Sequence, residues 1–176
     1  MSIIAIKHND EVLDLVTAQS MGVTGEEIIL DNSIESLDVL RHSTAHLMAQ
    51  AIKSLYTDAK FYVGPTVKEG FYYDFKTESE IGSGDLKKIE KQMLSFAKKK
   101  YPIEKYEITM EEAKEKFKDD HLKLSVMQRI PSDTVSIYKQ GEFEDLCRGP
   151  HLPDIGLIRY FKLTKLAGAY LGGDSK

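Results

Sequence analysis

The sequence predicts an α+β fold: a mostly antiparallel sheet with helices packed on one face, preceded by a short β-rich N-terminal segment. Three observations carry this reading. A long helical period begins at Ser36, two further helical patterns lie between residues 85 and 129, and β-like runs separated by Gly and Pro turns occupy both the first 30 residues and the stretch after Thr134. At 176 residues the chain can bury roughly 70% of its unfolded surface, so a core forms without disulfides.

Taken in order, Ile3 to Lys7 and Glu11 to Val16 read as short strands around a turn at His8-Asn9-Asp10, and Glu26 to Leu30 as a third strand. Residues 1–35 form one segment and residues 36–176 the main domain. From Ser36, a candidate cap, Leu37, Leu40, Thr44, Leu47, Met48, Ala51 and Leu55 recur at spacings of three and four, the signature of an amphipathic helix. Residues 59–75 are aromatic and β-branched, with Gly64-Pro65 and Glu69-Gly70 as punctuation, and predict two strands joined by a turn. A helix over 85–99 aligns Leu86, Ile89, Met93, Phe96 and Ala97, and a second begins with the capping box Thr109-x-x-Glu112. A short helix over 122–129 ends near Pro131. Strands are expected at 135–138, 142–146, 158–163 and 169–171.

Charge and composition exclude several classes. One Lys faces eight Asp and Glu in residues 1–40, whereas 23 basic and 20 acidic residues share the rest. That balance is too slight to mark a protein that holds nucleic acid by charge alone. No apolar run approaches the about 18 residues of a membrane span, and the start lacks signal-peptide character, so the expected location is cytoplasmic. The lysines at 87, 88, 91 and 98–100 read as the wet face of a helix, with RNA phosphates as the alternative. Tyr72 and Tyr73 offer a stacking face for a single-stranded RNA end, or belong to the core.

Two pairs of identical spacing carry the chemistry: His42-x-x-x-His46 and Cys147-x-x-x-His151, the latter holding the only cysteine. On a helix, His42 and His46 project within about 40° of each other, so one ion or one substrate group meets both rings. Measured from Leu37, the apolar stripe centres near about 340° and the histidines lie near about 140° and 180°, facing away from that stripe. Alone, such a pair reads as a solvated polar face, and Cys147 as a buried thiol. Together the four residues form a ligand set suited to Zn²⁺, either a closed structural site or an open one in which imidazoles hold a substrate and a water.

Arg41-His42-Ser43-Thr44-Ala45-His46-Leu47, Gly64-Pro65 to Gly70-Phe71-Tyr72-Tyr73-Asp74, Cys147-Arg148-Gly149-Pro150-His151, and Phe161-Lys162-Leu163 to Ala167-Gly168-Ala169-Tyr170 resemble the editing domain of bacterial threonyl-tRNA synthetases. Alanyl-tRNA synthetases and their free-standing relatives share the HxxxH and CxxxH skeleton and bind zinc with it. They carry Gly-Gly-Thr between Cys and His, so Arg148-Gly149-Pro150 favours the threonyl branch. The resemblance implies hydrolysis of serine wrongly attached to threonine tRNA. It makes His42, His46, Lys123, Cys147 and His151 the catalytic candidates, with Tyr73 and Asp145 lining the pocket.

The same resemblance implies the acceptor end of tRNA(Thr) as partner and no membrane. No cofactor is required in this region, although zinc on His42, His46, Cys147 and His151 remains open. ATP and a further zinc belong to an aminoacylation domain that would follow Lys176, and the parent enzyme is expected to be a homodimer through domains outside this chain. That family begins with a β-grasp domain longer than the 35 residues here, so the first segment is a reduced version or another unit. By sequence alone Lys123 reads as a surface lysine and Asp145 as a strand-end carboxylate. The alternative functions are a noncatalytic zinc-stabilised RNA-binding or assembly module and an alanyl-type zinc-dependent editing hydrolase.

Overall fold

The computed structural model describes residues 1–168. β1 (Ile3–His8) and β2 (Glu11–Asp14) form a hairpin whose turn residues, Asn9 and Asp10, take φ of 50° and 64°. Those are the left-handed angles that match the twist of a two-residue hairpin, and Asn and Asp tolerate them better than other side chains. The expected strand over 11–16 stops at Asp14, because the Asp14 carboxylate accepts the Thr17 N–H at 2.9 Å and opens helix α1 (Leu15–Met21). β3 (Glu26–Ile29) then pairs antiparallel with the free edge of β1, giving the order β2-β1-β3. The N-terminal segment is therefore a three-stranded sheet with a helix, not strands alone.

Helix α2 (Ile34–Leu55) is the axis of the main domain. Ser33, not Ser36, is its cap: the Ser33 hydroxyl accepts the Ser36 N–H, and the Ser36 hydroxyl accepts the Asp31 N–H, folding the incoming chain back onto the first turn. Residues 43–47 are all buried, so α2 has no wet face at that level. Four two-residue strands follow: β4 (Lys60–Phe61), β5 (Thr66–Val67), β6 (Gly70–Phe71) and β7 (Phe75–Lys76). β4 pairs with β7 and β5 with β6, two nested ladders where two strands were expected. The Cβ of any other residue at Gly64 would collide with the Tyr73 ring.

Helix α3 (Leu86–Ala97) buries Ile89, Met93 and Ala97 against α2 and leaves the lysines at 87, 88, 91 and 98–100 exposed, as their wet-face reading expected. Strand β8 (Glu104–Thr109), which the sequence did not announce, leads into α4 (Met110–Lys116) through the capping box at Thr109 and Glu112. α5 (His121–Met127), β9 (Thr134–Gln140) and β10 (Phe143–Leu146) complete an antiparallel sheet of order β10-β9-β8.

The α+β class and antiparallel pairing hold, but helices cover both faces of this sheet. Strand alternation sends Tyr138 and Phe143 toward the core around α2, while Val135 meets Ala113 of α4 and Met127 of α5 on the other side. The run 158–163 is not a strand. It follows a 3₁₀ turn at Ile155–Leu157 as extended chain, with the Leu163 N–H donated to Glu90, and the expected strand at 169–171 lies outside the described residues. No helix among the described residues is long and apolar enough to cross a membrane.

Gly64→Ala forces the Tyr73 ring out of its place. We expect a loss of about 1–3 kcal/mol of unfolding free energy, the usual penalty for overpacking, read from urea midpoints at unchanged slope.

Candidate functional site

The turn after β10 folds back onto α2 and brings the four predicted residues together. One ligand atom from each of His42, His46, Cys147 and His151 lies within 4.8 Å of every other. His42 and His151 stack with ring centroids 4.1 Å apart, and His46 sits 4.3 Å from His151 and 5.2 Å from His42. The expectation that the histidines face away from the core is corrected here. His46 is 3% exposed and His151 1%, because the turn and β10 cover the side of α2 that the first apolar stripe leaves bare.

Hydrogen bonds fix the protons of this cluster. The Pro150 carbonyl can only accept, so His42 Nδ1 donates to it at 3.2 Å and His42 Nε2 is left as an acceptor, facing Cys147 Sγ at 3.3 Å. The thiol gives its single proton to that nitrogen. His151 Nε2, 3.2 Å from the same sulfur, must then be the donor, and its Nδ1 accepts the Ser43 hydroxyl at 3.0 Å. Ser43 Oγ in turn accepts the Leu152 N–H at 2.9 Å, and the sulfur also accepts the Gly149 N–H at 3.3 Å. The relay runs one way, Ser43 to His151 to Cys147 to His42 to Pro150. His46 stands outside it: its ring nitrogens make no hydrogen bond among the described residues.

Beside the imidazoles lies a buried ion pair. Lys123, 2% exposed, sits with Nζ 2.5 Å from Asp145 Oδ1 and 3.4 Å from the Tyr62 carbonyl. Asp145 also accepts the Tyr73 hydroxyl and the Leu146 N–H. α5 delivers Lys123 because Asp120 caps it through the Lys123 N–H, and β10 delivers Asp145 two residues before Cys147. A surface lysine is thus the wrong reading of Lys123. Its contacts are Asp145 and Tyr62, and its charge is felt at His46 and Cys147. Tyr73 is buried with its ring 6.0 Å from that of His46, whereas Tyr72 is exposed.

Burial sets the protonation states. Desolvation, then the neighbouring imidazole and the Lys123 charge, hold His46 well below the ordinary 6.5; desolvation, then His46 and His42, do the same to His151. Desolvation lowers His42 as well and pushes the Cys147 thiol up to about 12. Burial, then the Asp145 charge, raises Tyr73 well above its usual range. At neutral pH the cluster is three neutral imidazoles and a thiol.

This donor set also fits Zn²⁺ by type. Three imidazole nitrogens and one sulfur, with sulfur-to-nitrogen separations of 3.2 and 3.3 Å, are close to the edges of a tetrahedral site. Four protein ligands would close such a site.

Three supporting residues were not among the sequence candidates. Ser43 lies inside the histidine motif, and Tyr138 ends an expected strand. Asp14 belongs to the N-terminal segment, yet its Oδ2 accepts the His151 N–H at 3.1 Å and the Tyr138 hydroxyl at 2.5 Å.

Residues 135–176, which supply the Cys147-x-x-x-His151 turn, match the family model described as the Threonyl and Alanyl tRNA synthetase second additional domain. Over almost its full length the chain is similar to proteins named threonine–tRNA ligase. It is 62% identical over 175 residues to that of Nautilia profundicola (99% of this chain, 29% of the relative) and 58% over 172 residues to that of Helicobacter hepaticus (98% and 28%). With that of Campylobacter jejuni it is 59% identical over 174 residues (99% and 29%). Nearly the whole chain is thus similar to part of the threonine–tRNA ligases, and residues 135–176 are similar to the second additional domain. It spans under a third of the length of these relatives.

The depressed histidines make stability depend on pH. The unfolded chain binds protons at the ordinary 6.5 while buried His46 and His151 resist them, so stability is full above that value and falls as pH drops below it. Each residue adds up to about 1.4 kcal/mol per pH unit. With chelator present, we expect urea unfolding free energy to fall by about 2 kcal/mol from about pH 7.5 to about pH 5.5, and His151→Gln to flatten the dependence.

Proposed function

We propose that this chain hydrolyses the ester of seryl-tRNA(Thr), removing serine from threonine tRNA. One observation carries the reading: His46, an imidazole with no hydrogen-bond partner among the described residues, stands next to a buried Lys123–Asp145 pair and a locked relay of neutral groups. The relatives are named for threonine and tRNA. Threonine and serine differ by one methyl, which a binding pocket converts into only about 1–3 kcal/mol, so a ligase for threonine needs a second site that clears serine.

The ester is already activated, and hydrolysis requires a water, a proton acceptor and relief of charge on the carbonyl oxygen. Neutral His46 takes the proton of a water attacking the seryl carbonyl and returns it to the ribose oxygen as the ester bond breaks. Lys123, held by Asp145, stabilises the negative charge that grows on the carbonyl oxygen, and Tyr73 fixes the other carboxylate oxygen of Asp145. His42, Cys147 and His151 form the rigid wall. Cys147 is the hub of the relay and not the nucleophile, since a thiol raised to about 12 supplies almost no thiolate at neutral pH.

The acceptor end enters through the cleft of about 580 Å³ that contains Cys147 and Arg148, where Arg129 lies 5.7 Å from the Tyr62 ring. A larger cleft of about 700 Å³ reaches Lys123 and Asp145 from the α2–α3 side. The first suits a phosphate followed by a base, because a charged guanidinium stacks there on an aromatic, and the second gives the ester its access to Lys123 and Asp145. The reaction takes place in the cytoplasm on tRNA(Thr), and the parent enzyme charges that tRNA using ATP, as a homodimer through regions outside this chain.

No metal is required in this reading. A Zn²⁺ bound by His42, His46, Cys147 and His151 would supply rigidity and would take the His46 lone pair that the reaction uses. The donor set itself favours the second reading, a zinc-stabilised noncatalytic module or an alanyl-type hydrolase.

Single-turnover assays on seryl- and threonyl-tRNA(Thr) decide among these. We expect selective loss of serine, resistant to chelator with the fold intact. Tight tRNA binding without turnover, or collapse on chelation together with stoichiometric zinc, establishes the second reading instead.

His46→Ala should slow the saturated rate by about 10²–10⁴-fold, and Lys123→Met by about 10²–10³-fold with tRNA affinity unchanged. Circular dichroism and melting curves confirm that both variants remain folded. An unchanged saturated rate in Lys123→Met removes that residue from the chemistry.

A further inference from the structure

The cluster is braced by a residue from outside α2, α5 and the turn. Asp14 is an acid at the junction of β2 and α1, 137 positions from His151, and it is 1% exposed. A carboxylate buried to that degree is costly unless its oxygens are fully used. They are: Oδ1 caps α1 by accepting the Thr17 N–H at 2.9 Å, while Oδ2 accepts the Tyr138 hydroxyl at 2.5 Å and the His151 backbone N–H at 3.1 Å.

The turn is shaped to admit this carboxylate. Gly149 has φ +77°, and a Cβ there would collide with the Tyr138 hydroxyl and lie 2.9 Å from Asp14 Oδ2. The Tyr138 ring also packs 4.6 Å from the His151 ring. His151 is thus held at three points: Nδ1 by Ser43, Nε2 by the Cys147 sulfur, and its backbone N–H by Asp14. Capping a seven-residue helix needs only one of the Asp14 oxygens.

We propose that Asp14 is a positioning residue for His151, and that the β2–α1 corner is thereby a built-in part of the hydrolytic site and not an appended unit. The inference rests on the hydrolase reading above. A charge-assisted bond to the backbone of His151 sets how far the turn reaches toward α2, and so where the relay and the neighbouring His46 stand relative to the ester. Displacements of an ångström in such a site slow chemistry without weakening the hold on a large substrate.

The test uses the whole chain. Asp14→Asn preserves size but removes the charge and one acceptor. We expect its single-turnover rate on seryl-tRNA(Thr) at saturating protein to fall by about tenfold to a hundredfold, with the dissociation constant for tRNA unchanged. The His151 backbone amide proton should move upfield and its ring nitrogen resonances should shift.

Leu13→Ala is the comparison. Leu13 is buried in the separate N-terminal cluster with Ile6 and Ala18, so its loss loosens the same segment without touching the turn. That variant should keep the saturated rate within about twofold. Asp14→Asn with the wild-type rate and unmoved His151 resonances overturns the proposal, as does a Leu13→Ala loss equal to that of Asp14→Asn.

Should Asp14→Asn fail to fold, Tyr138→Phe must both slow turnover and shift the His151 resonances, and a wild-type result there overturns the proposal. If the unaltered chain deacylates nothing, the hydrolase reading falls by itself. The His151 resonances in Asp14→Asn then decide whether Asp14 holds the imidazole.

Discussion

The site depends on the seam between α2 and the turn that follows β10. Ser43 fastens it, accepting the Leu152 N–H and donating to His151. His42 fastens it again through the Pro150 carbonyl. A hydroxyl on α2 that is buried completely would be a liability in a free helix, since it competes for backbone partners. Here it satisfies a loop that has no strand partner of its own. Without that seam, the pair on the helix and the pair on the turn would be two unrelated motifs.

Burial then gives the two halves of the site opposite electrical characters. Imidazoles and thiol have no counter-charge among themselves, so the low dielectric drives them neutral. Lys123 and Asp145 are buried as deeply but reach each other, with Tyr73 and the Leu146 N–H filling the remaining acceptor positions on the carboxylate. A buried ion pair contributes little to stability when compared with an apolar pair of the same size. Here the hydrogen bonds from Tyr73 and Leu146 to the carboxylate offset part of the cost of burying the charges.

The Lys123–Asp145 pair also shows why the main sheet is covered on both faces. α5 lies with α4 on the Val135 side, yet its first turn must deliver Lys123 to Asp145, which alternation places on the Tyr138 side of β10. Lys123 spans that difference with a long side chain whose end is anchored at the Tyr62 carbonyl. The nested ladders of residues 60–76 supply that carbonyl and Tyr73, so their irregularity serves the site more than the sheet.

The sequence by itself determined the helical period of α2, the capping box of α4, the hairpin turn at Asn9-Asp10 and the two spaced pairs that form the site, because spacing along a helix or within a turn is a local property. It also carried the resemblance that pointed to Lys123, Tyr73 and Asp145. It could not show which way the histidines face, since a single apolar stripe marks one buried side of α2 and says nothing of a second element covering the other. It read 11–16 as one strand because Val12, Leu13, Leu15 and Val16 make a β-like run, which the Asp14 capping bond cuts short. Lys123, Ser43 and Asp14 took their roles only in the tertiary structure. Each is a polar group whose partners lie on other elements, 22 residues away for Lys123 and Asp145 and more than 100 for the other two, and a polar side chain reveals its partner only once the chain has closed around it.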